Sequence, residues 1–252
     1  MNIMSDKLKS KEIKKYFGDK PFSNNDLYNF YLNYEPDLKK STFGWRVHNL
    51  KQRGLIYSLK KGVYTTKDKK DFKPIIDSKL INLYNNVKEK FPYLLMAVWE
   101  TSWLNNYMVH QAFSNSIILE VEKDAASAVF SFLQESYRDI YLNPDRFVVE
   151  NYIITGQDSI VIKNITLTSP LIEREDVIVP TIEKILVDIY TDDEFFVSYQ
   201  GGELENIFKE FFTSFKINQS TLRQYANKRH VRDRLITFLV EDAKIDKDKI
   251  LI

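Results

Sequence analysis

Two patterns follow one another in residues 41–65, which read STFGWRVHNLKQRGLIYSLKKGVYT. In the first, Phe43, Val47 and Leu50 fall on one stripe at about 100° per residue, the spacing of an α-helix. The opposite side of the same helix carries Ser41, Trp45, His48, Asn49 and Gln52. We therefore predict a helix that packs through one face and exposes a polar face for recognition.

The second pattern indicates a β-hairpin directly after this helix. Gly54 directly follows the helical pattern. A residue in the left-handed conformation often ends a helix, and glycine adopts that conformation most easily because it has no Cβ. An apolar run at 55–57 and a returning run at 63–65 are separated by the turn Lys60-Lys61-Gly62. A helix followed by a hairpin with a cationic turn is typical of a winged helix-turn-helix, in which the helix enters the major groove and the wing meets phosphates.

Two shorter helical patterns precede this stretch and complete a first domain. Residues 7–17 carry apolar side chains among lysines, and a second stripe of Leu27, Phe30 and Tyr31 ends before Pro36. The charged segment 67–74 has no hydrophobic period and ends in proline, so it is predicted to be a linker. The expected domains are a winged helix-turn-helix over 1–70 and a larger mixed α/β domain over 75–252.

The second domain alternates strand and helix patterns before it ends in a helical bundle, so we assign the chain to the α+β class. The predicted strands include 93–99, 117–122, 146–155 and 159–166, and the short spacer 156–158 predicts that the last two pair antiparallel. The predicted terminal helices are 202–215, 220–228 and 230–242.

The charge of the chain is divided unevenly between these two parts. Residues 1–70 contain 16 Lys and Arg against 7 Asp and Glu, a net charge of +9, whereas the remainder has 20 against 28, a net charge of −8. Such asymmetry is typical of a DNA-binding domain joined to a body that does not bind DNA. The absence of cysteine and of any apolar run near 20 residues leads us to expect a soluble, cytoplasmic protein that does not engage a membrane.

The candidate nucleic-acid contacts lie mainly on the polar face of the predicted helix. Ser41 and Thr42 sit at its first turn, where backbone N–H groups bind phosphate. The remaining candidates are Lys40, Trp45, Arg46, His48, Asn49, Gln52, Arg53, Lys60 and Lys61. A second possible basic surface, near the C-terminus, comprises Lys216, Arg223, Lys228, Arg229, Arg232 and Arg234. It could serve a second nucleic-acid contact or dock an acidic partner, or be a solvated face paired with carboxylates.

Enzyme chemistry has little support in the sequence, so no catalytic residue, metal or cofactor is assigned. Glu120 and Glu122 would share one side of a strand, an arrangement that binds divalent metal in nucleotidyltransferases and some nucleases. The glycine-serine turn that such transferases use to hold the triphosphate is missing upstream. A metal-dependent enzyme acting on nucleic acid or nucleotides is the alternative reading, and an adaptor that binds another protein is a third.

Two segments resemble a known family. The runs Arg53-Gly54-Leu55-Ile56 and Lys61-Gly62-Val63-Tyr64 are similar to the winged helix of the AbiEi-type antitoxins of bacterial abortive-infection systems. Residues 180–188 and 201–205 resemble the C-terminal region of a related group of bacterial proteins. The resemblance implies a cytoplasmic antitoxin that binds double-stranded DNA at its own promoter. It also implies that the body counters a nucleotidyltransferase-like toxin, without a stable complex being required.

Overall fold

The computed structural model describes residues 7–60, 62–245 and 250; the side chains of Leu59 and Lys60 lie outside the described part. The chain divides into two compact units, one reaching Lys70 and including Ile250, the other spanning Asp71–Ile245. Both units mix helices with small sheets, so the prediction of a mixed α+β chain is confirmed. Among the described residues, no helix combines the length and the apolar character that crossing a bilayer requires.

Helices and a three-stranded sheet make up the described part of the N-terminal unit. The helices are α1 (Ser10–Phe17), α2 (Asn24–Leu32) and α3 (Lys40–Gln52). The strands are β1 (Phe22–Ser23), β2 (Tyr57–Lys60) and β3 (Val63–Thr65), all antiparallel in the order β1-β3-β2. The hairpin expected after the helix at 41–52 is therefore present, and β1 adds a third strand that the sequence did not reveal.

Side chains from all three helices and the sheet meet in one apolar core. The fully buried members of this core include Ile13 of α1, Leu27 of α2 and Leu50 of α3. Each such side chain contributes about 1.5–3 kcal/mol by leaving water. Two hydrogen bonds close the unit further: the Tyr31 hydroxyl donates to the Leu8 carbonyl at 2.7 Å, and the Tyr28 hydroxyl donates to that of Leu38 at 2.8 Å.

A four-stranded mixed sheet organises the second unit. Its strands are β4 (Met96–Glu100), β5 (Ser116–Val121), β6 (Ile140–Leu142) and β7 (Ser159–Asn164), in the order β4-β5-β7-β6. β4 runs antiparallel to β5, whereas β5 and β6 both run parallel to β7. Helix α4 (Ser78–Lys90) precedes β4, and α5 (Ala126–Gln134) connects β5 to β6.

A hairpin and four helices complete this unit. Strands β8 (Leu171–Arg174) and β9 (Val177–Pro180) are joined by Glu175 and Asp176, both with positive φ, as a two-residue hairpin turn requires. The helices that follow are α6 (Ile182–Thr191), α7 (Gly202–Ser214), α8 (Gln219–Lys228) and α9 (Arg232–Glu241). Their bounds agree with the predicted helical end of the chain.

The predicted strand at 146–155 is wrong. Asp145 caps a helical turn by accepting a hydrogen bond from the Val148 N–H at 2.9 Å, and a π-helix, Val149–Ile153, follows. Val149 and Ile153 are buried four residues apart, a helical spacing. The predicted antiparallel pairing across 156–158 is wrong for the same reason, because β7 pairs in parallel with β5 and β6.

The predicted linker is also shorter than the sequence indicated. Phe72 packs against the aromatic rings of Trp103, Phe211 and Phe215, with ring centroids 6.4, 5.2 and 5.4 Å away. The Arg174 guanidinium donates to the Phe72 carbonyl at 3.3 Å. Residues from Asp71 onward therefore belong to the second unit, because an aromatic side chain in the charged segment finds an apolar partner there.

Candidate nucleic-acid interface

Helix α3 exposes one polar face while its other face lies in the core of the N-terminal unit. Phe43, Val47 and Leu50 are 5%, 8% and 0% exposed, as the helical stripe predicts. Trp45, by contrast, is 42% exposed. The side chains of Lys40, Ser41, Thr42, His48, Gln52 and Arg53 are also exposed. One continuous polar face thus accompanies the buried stripe.

The end of α3 is fixed by a glycine. Gly54 has a φ of +63°, and the Leu55 N–H donates to the Leu50 carbonyl at 2.9 Å. This arrangement satisfies a carbonyl that the helix would otherwise leave unpaired. The chain then turns directly into the β2–β3 hairpin. The side chain of Lys60 and all of Lys61, both predicted to hold phosphates, lie outside the described residues.

Asn49 is half-buried at the edge of the exposed face. Its side-chain amide nitrogen donates to the Trp45 carbonyl one turn earlier, at 2.9 Å. The Asn49 carboxamide can contact a base edge in this rotamer through its oxygen, and a rotation would free the nitrogen. Trp45 and Asn49 therefore lie next to each other on the surface predicted to meet DNA.

Arg46 must be removed from the predicted contact surface. Its side chain is 4% exposed, and its Nη2 donates to both carboxylate oxygens of Glu35, at 2.9 and 2.7 Å. The guanidinium also lies 4.9 Å from the centroid of the Tyr31 ring. Because helical rotation places position 46 beside Val47 on the packed side of α3, Arg46 joins α3 to the end of α2 instead of meeting a ligand.

A groove next to α3 is lined in part by residues that the sequence did not indicate as candidate contacts. Its volume is about 570 Å³, and it is lined by Asn24, Asn25, Tyr28, Lys40, Phe43, Gly44, Val47 and Tyr64. Asn24 and Asn25 begin α2, where the Ser23 hydroxyl and the Asp26 carboxylate form a capping box. A helix start that presents two asparagines is the sequence signal that could have added these residues to the candidate surface.

Gly44 leaves open space on the outer side of α3. A Cβ built on this residue would meet no heavy atom within 4 Å. Glycine in a helix interior is less favourable than alanine by roughly 0.5–1 kcal/mol. Packing within the described chain therefore does not require a glycine at this position.

The second predicted basic surface is mostly paired. Arg229 bonds the Asp188 carboxylate, Lys228 bonds the Thr168 hydroxyl, and Lys216 lies 3.4 Å from Asp71. Arg232 pairs with Asp233 at 2.9 Å. Arg223 is half-buried and interacts with a neighbouring group, whereas Arg234 is exposed. Lys216, Arg229 and Arg232 therefore pair with carboxylates of the same unit, as the paired-face alternative predicts, whereas Lys228 contacts a neutral hydroxyl and Arg234 is exposed. A joint role of the six residues in binding a partner stays a prediction.

The alternative metal site depended on Glu120 and Glu122, which the structure separates. Glu120 is 5% exposed, and both its oxygens accept from the Lys184 ammonium, at 2.7 and 2.6 Å. Glu122 is exposed and follows the last residue of β5. A cation would reach Glu120 only by displacing Lys184. Among the described residues, no group of three or more potential ligands could hold a metal ion.

Lys184 belongs to a buried ion cluster formed by Glu120, Lys184, Asp188, Tyr225 and Arg229. The Lys184 ammonium donates to Asp188 Oδ2 at 2.5 Å, and the Tyr225 hydroxyl donates to Asp188 Oδ1 at 2.9 Å. Burial alone would lower the pKa of Lys184, but the carboxylates of Asp188 and Glu120 outweigh it and raise this pKa. The lysine is therefore charged, and the cluster joins β5 to α6 and α8. Two charged residues four apart within an apolar helix, Lys184 and Asp188, were its signal in the sequence.

The comparisons with known proteins give one family. The model of a family of unknown function, DUF6577, matches residues 42–245, and the chain belongs to this family. No curated protein matches the chain. The matched segment begins inside α3 and covers the described second unit, so it includes most of the candidate interface and the buried ion cluster.

Proposed function

We propose that this member of the DUF6577 family is a sequence-specific DNA-binding regulator. In this proposal the N-terminal unit is a winged helix-turn-helix, α3 is its recognition helix, and the β2–β3 hairpin is its wing. The single observation that carries the proposal is the division of α3 into a fully packed stripe and a continuous polar face. A helix with that division, followed at once by a hairpin, matches the geometry of a major-groove reader.

Charge and side-chain chemistry support the same function. Residues 1–70 carry a net charge of +9, which favours association with a polyanion. The exposed groups on α3 include an indole, an imidazole and a carboxamide, at Trp45, His48 and Gln52. Carboxamide and imidazole groups can hydrogen-bond base edges, while Lys40, Ser41 and Thr42 at the first turn suit a phosphate. The interface thus combines groups that position a duplex with groups that read it.

Within this proposal the regulator acts as an antitoxin that represses its own promoter and counters a nucleotidyltransferase-like toxin. The support for this narrower role is the resemblance of the hairpin to the AbiEi-type antitoxins and of residues 180–188 to the C-terminal region of a related group of bacterial proteins. Co-expression with the product of an adjacent reading frame tests it separately from DNA binding. Rescue of growth supports the role, and growth arrest that this protein leaves unchanged contradicts it.

Fluorescence anisotropy with labelled duplexes tests DNA binding. The full chain is titrated against a duplex from its own upstream region and against an unrelated duplex of equal length. Asn49→Ala is expected to cost about 1–3 kcal/mol on the first duplex only, whereas Lys40→Ala is expected to weaken binding to both alike. Lys15→Ala is the matched control, because Lys15 is exposed on α1 of the same unit. Equal affinity of wild type and all three variants would contradict the proposal.

A further inference from the structure

A cavity of about 430 Å³ opens at one edge of the four-stranded sheet, within the second unit. It lies where β4 ends at Glu100 and where β7 begins at Ser159. Helix α4 lines one side through Lys79, Asn82 and Leu83, and the loop before β6 lines another. Its volume is within the range of small-molecule sites, which is roughly 300–1,000 Å³.

The lining of this cavity changes from apolar and buried inside to charged and exposed outside. Leu83 and Ile160 are buried in its wall, and Tyr137 is half-buried beside them. Lys79 and Arg138 are exposed on the same lining. The cavity therefore offers an apolar interior for the body of a ligand together with cations that can bind an anionic group.

Glu100 is the half-buried acidic group among the residues that line this cavity. Its Oε2 accepts a hydrogen bond from the Ser102 hydroxyl at 2.7 Å, and the ammonium of Lys79 also acts on the carboxyl. Burial raises the pKa of the Glu100 carboxyl above its usual value. A half-buried carboxylate is stabilised by a cation from a ligand, because pairing compensates for the lost hydration.

We propose that this cavity binds a small zwitterion whose ammonium or guanidinium group pairs with Glu100 and whose acidic group pairs with Arg138 or Lys79. Asp158 and Asp139 also line the cavity and add to its negative charge. Two opposite charges on one compact molecule satisfy both sets of protein charges at once. A ligand of one sign would leave the other set unpaired. The inference is independent of DNA binding, since every group that it uses lies in the second unit.

Protein-observed NMR titration of the full chain tests the inference. The probes that carry both signs of charge are arginine, lysine and γ-aminobutyrate, and the probes that carry one sign are agmatine, which is cationic, and glutarate, which is anionic. At least one probe of the first group is expected to produce saturable shifts at residues lining the cavity and to bind about tenfold more tightly than either probe of one sign. Absence of saturable shifts with all three probes of the first group would overturn the proposal.

Two variants remove the negative and the positive charge of the site separately. Glu100→Gln keeps the shape and the Ser102 partner while removing the carboxylate, and it is expected to weaken the bound zwitterion at least about tenfold. Arg138→Ala is expected to weaken the zwitterion but to leave agmatine unaffected. Glu122→Gln is the matched control, because this exposed glutamate follows Val121, which pairs with Met96 at the end of β4 away from Glu100. Zwitterion affinity that is unchanged in Glu100→Gln, with a wild-type circular dichroism spectrum, would overturn the proposal.

Discussion

Replacing Lys184 by methionine is expected to destabilise the second unit severely. Lys184 is 1% exposed, and its ammonium holds the buried carboxylates of Glu120 and Asp188. The variant keeps most of the side-chain volume but leaves Glu120 without a cation. Breaking a buried ion pair on one side costs about 3–5 kcal/mol, because the remaining charge stays out of water. Asp188 is affected less, since Arg229 and Tyr225 still bind it.

Urea denaturation measured by tryptophan emission provides the assay. Trp99 and Trp103 are buried in the second unit, and a Trp45→Phe background removes the signal of the first. Lys209→Met is the matched control, because Lys209 pairs with Glu205 at 3.1 Å with both side chains partly exposed. An exposed pair of this kind contributes only about 0.3–0.5 kcal/mol.

A second substitution separates loss of the charge pair from loss of packing. In Lys184→Met with Glu120→Leu the buried carboxylate is gone, so the free energy of unfolding should return to within about 1–2 kcal/mol of wild type. The difference between Lys184→Met and wild type should also narrow as the pH falls, because protonation of Glu120, whose pKa burial raises, removes its charge. A loss in Lys184→Met no larger than that in Lys209→Met, or a double variant as unstable as the single one, would refute the reasoning.

Three further expectations concern the N-terminal unit. Gly44→Ala should stabilise it by about 0.5–1 kcal/mol in thermal unfolding, since the added methyl group meets nothing, whereas Gly54→Ala should destabilise it because its φ is +63°. Arg46→Met should lower the melting temperature without changing the base preference of any bound duplex; a changed preference would return Arg46 to the contact surface. Ser23→Ala should raise the carboxyl pKa of Asp26, which hydrogen bonds from Ser23 hold low; an unchanged NMR titration would contradict the capping box.

Hydrophobic periodicity predicted the helices well because the apolar stripe of each helix lies within one continuous stretch of sequence. The spacing of Phe43, Val47 and Leu50 is sufficient to define the packed face of α3, and Gly54 marks its end. The hairpin after it followed from two short apolar runs around a glycine turn. These features are local, so neighbouring residues are sufficient to specify them.

The errors had one local cause and one long-range cause. The apolar residues at 146–155 have high strand propensity, yet the adjacent Asp145 caps a helical turn, and Val149 and Ile153 are buried at a helical spacing. The partners of Arg46 and Arg229 lie 11 and 41 residues away in sequence, so spacing along the chain could not show that these arginines are paired. Glu120 resembled a metal ligand only because Lys184, its partner, lies 64 residues away in sequence.

The dissociation constant of the full chain from its own upstream duplex, measured against salt concentration, tests the central proposal most directly. If the N-terminal unit binds DNA through phosphates and base edges, affinity should fall at least about tenfold between about 50 and about 200 mM salt. At each salt concentration the upstream duplex should bind at least about a hundredfold more tightly than an unrelated duplex. Affinity that is independent of salt, or equal for both duplexes, would contradict a sequence-specific DNA-binding regulator.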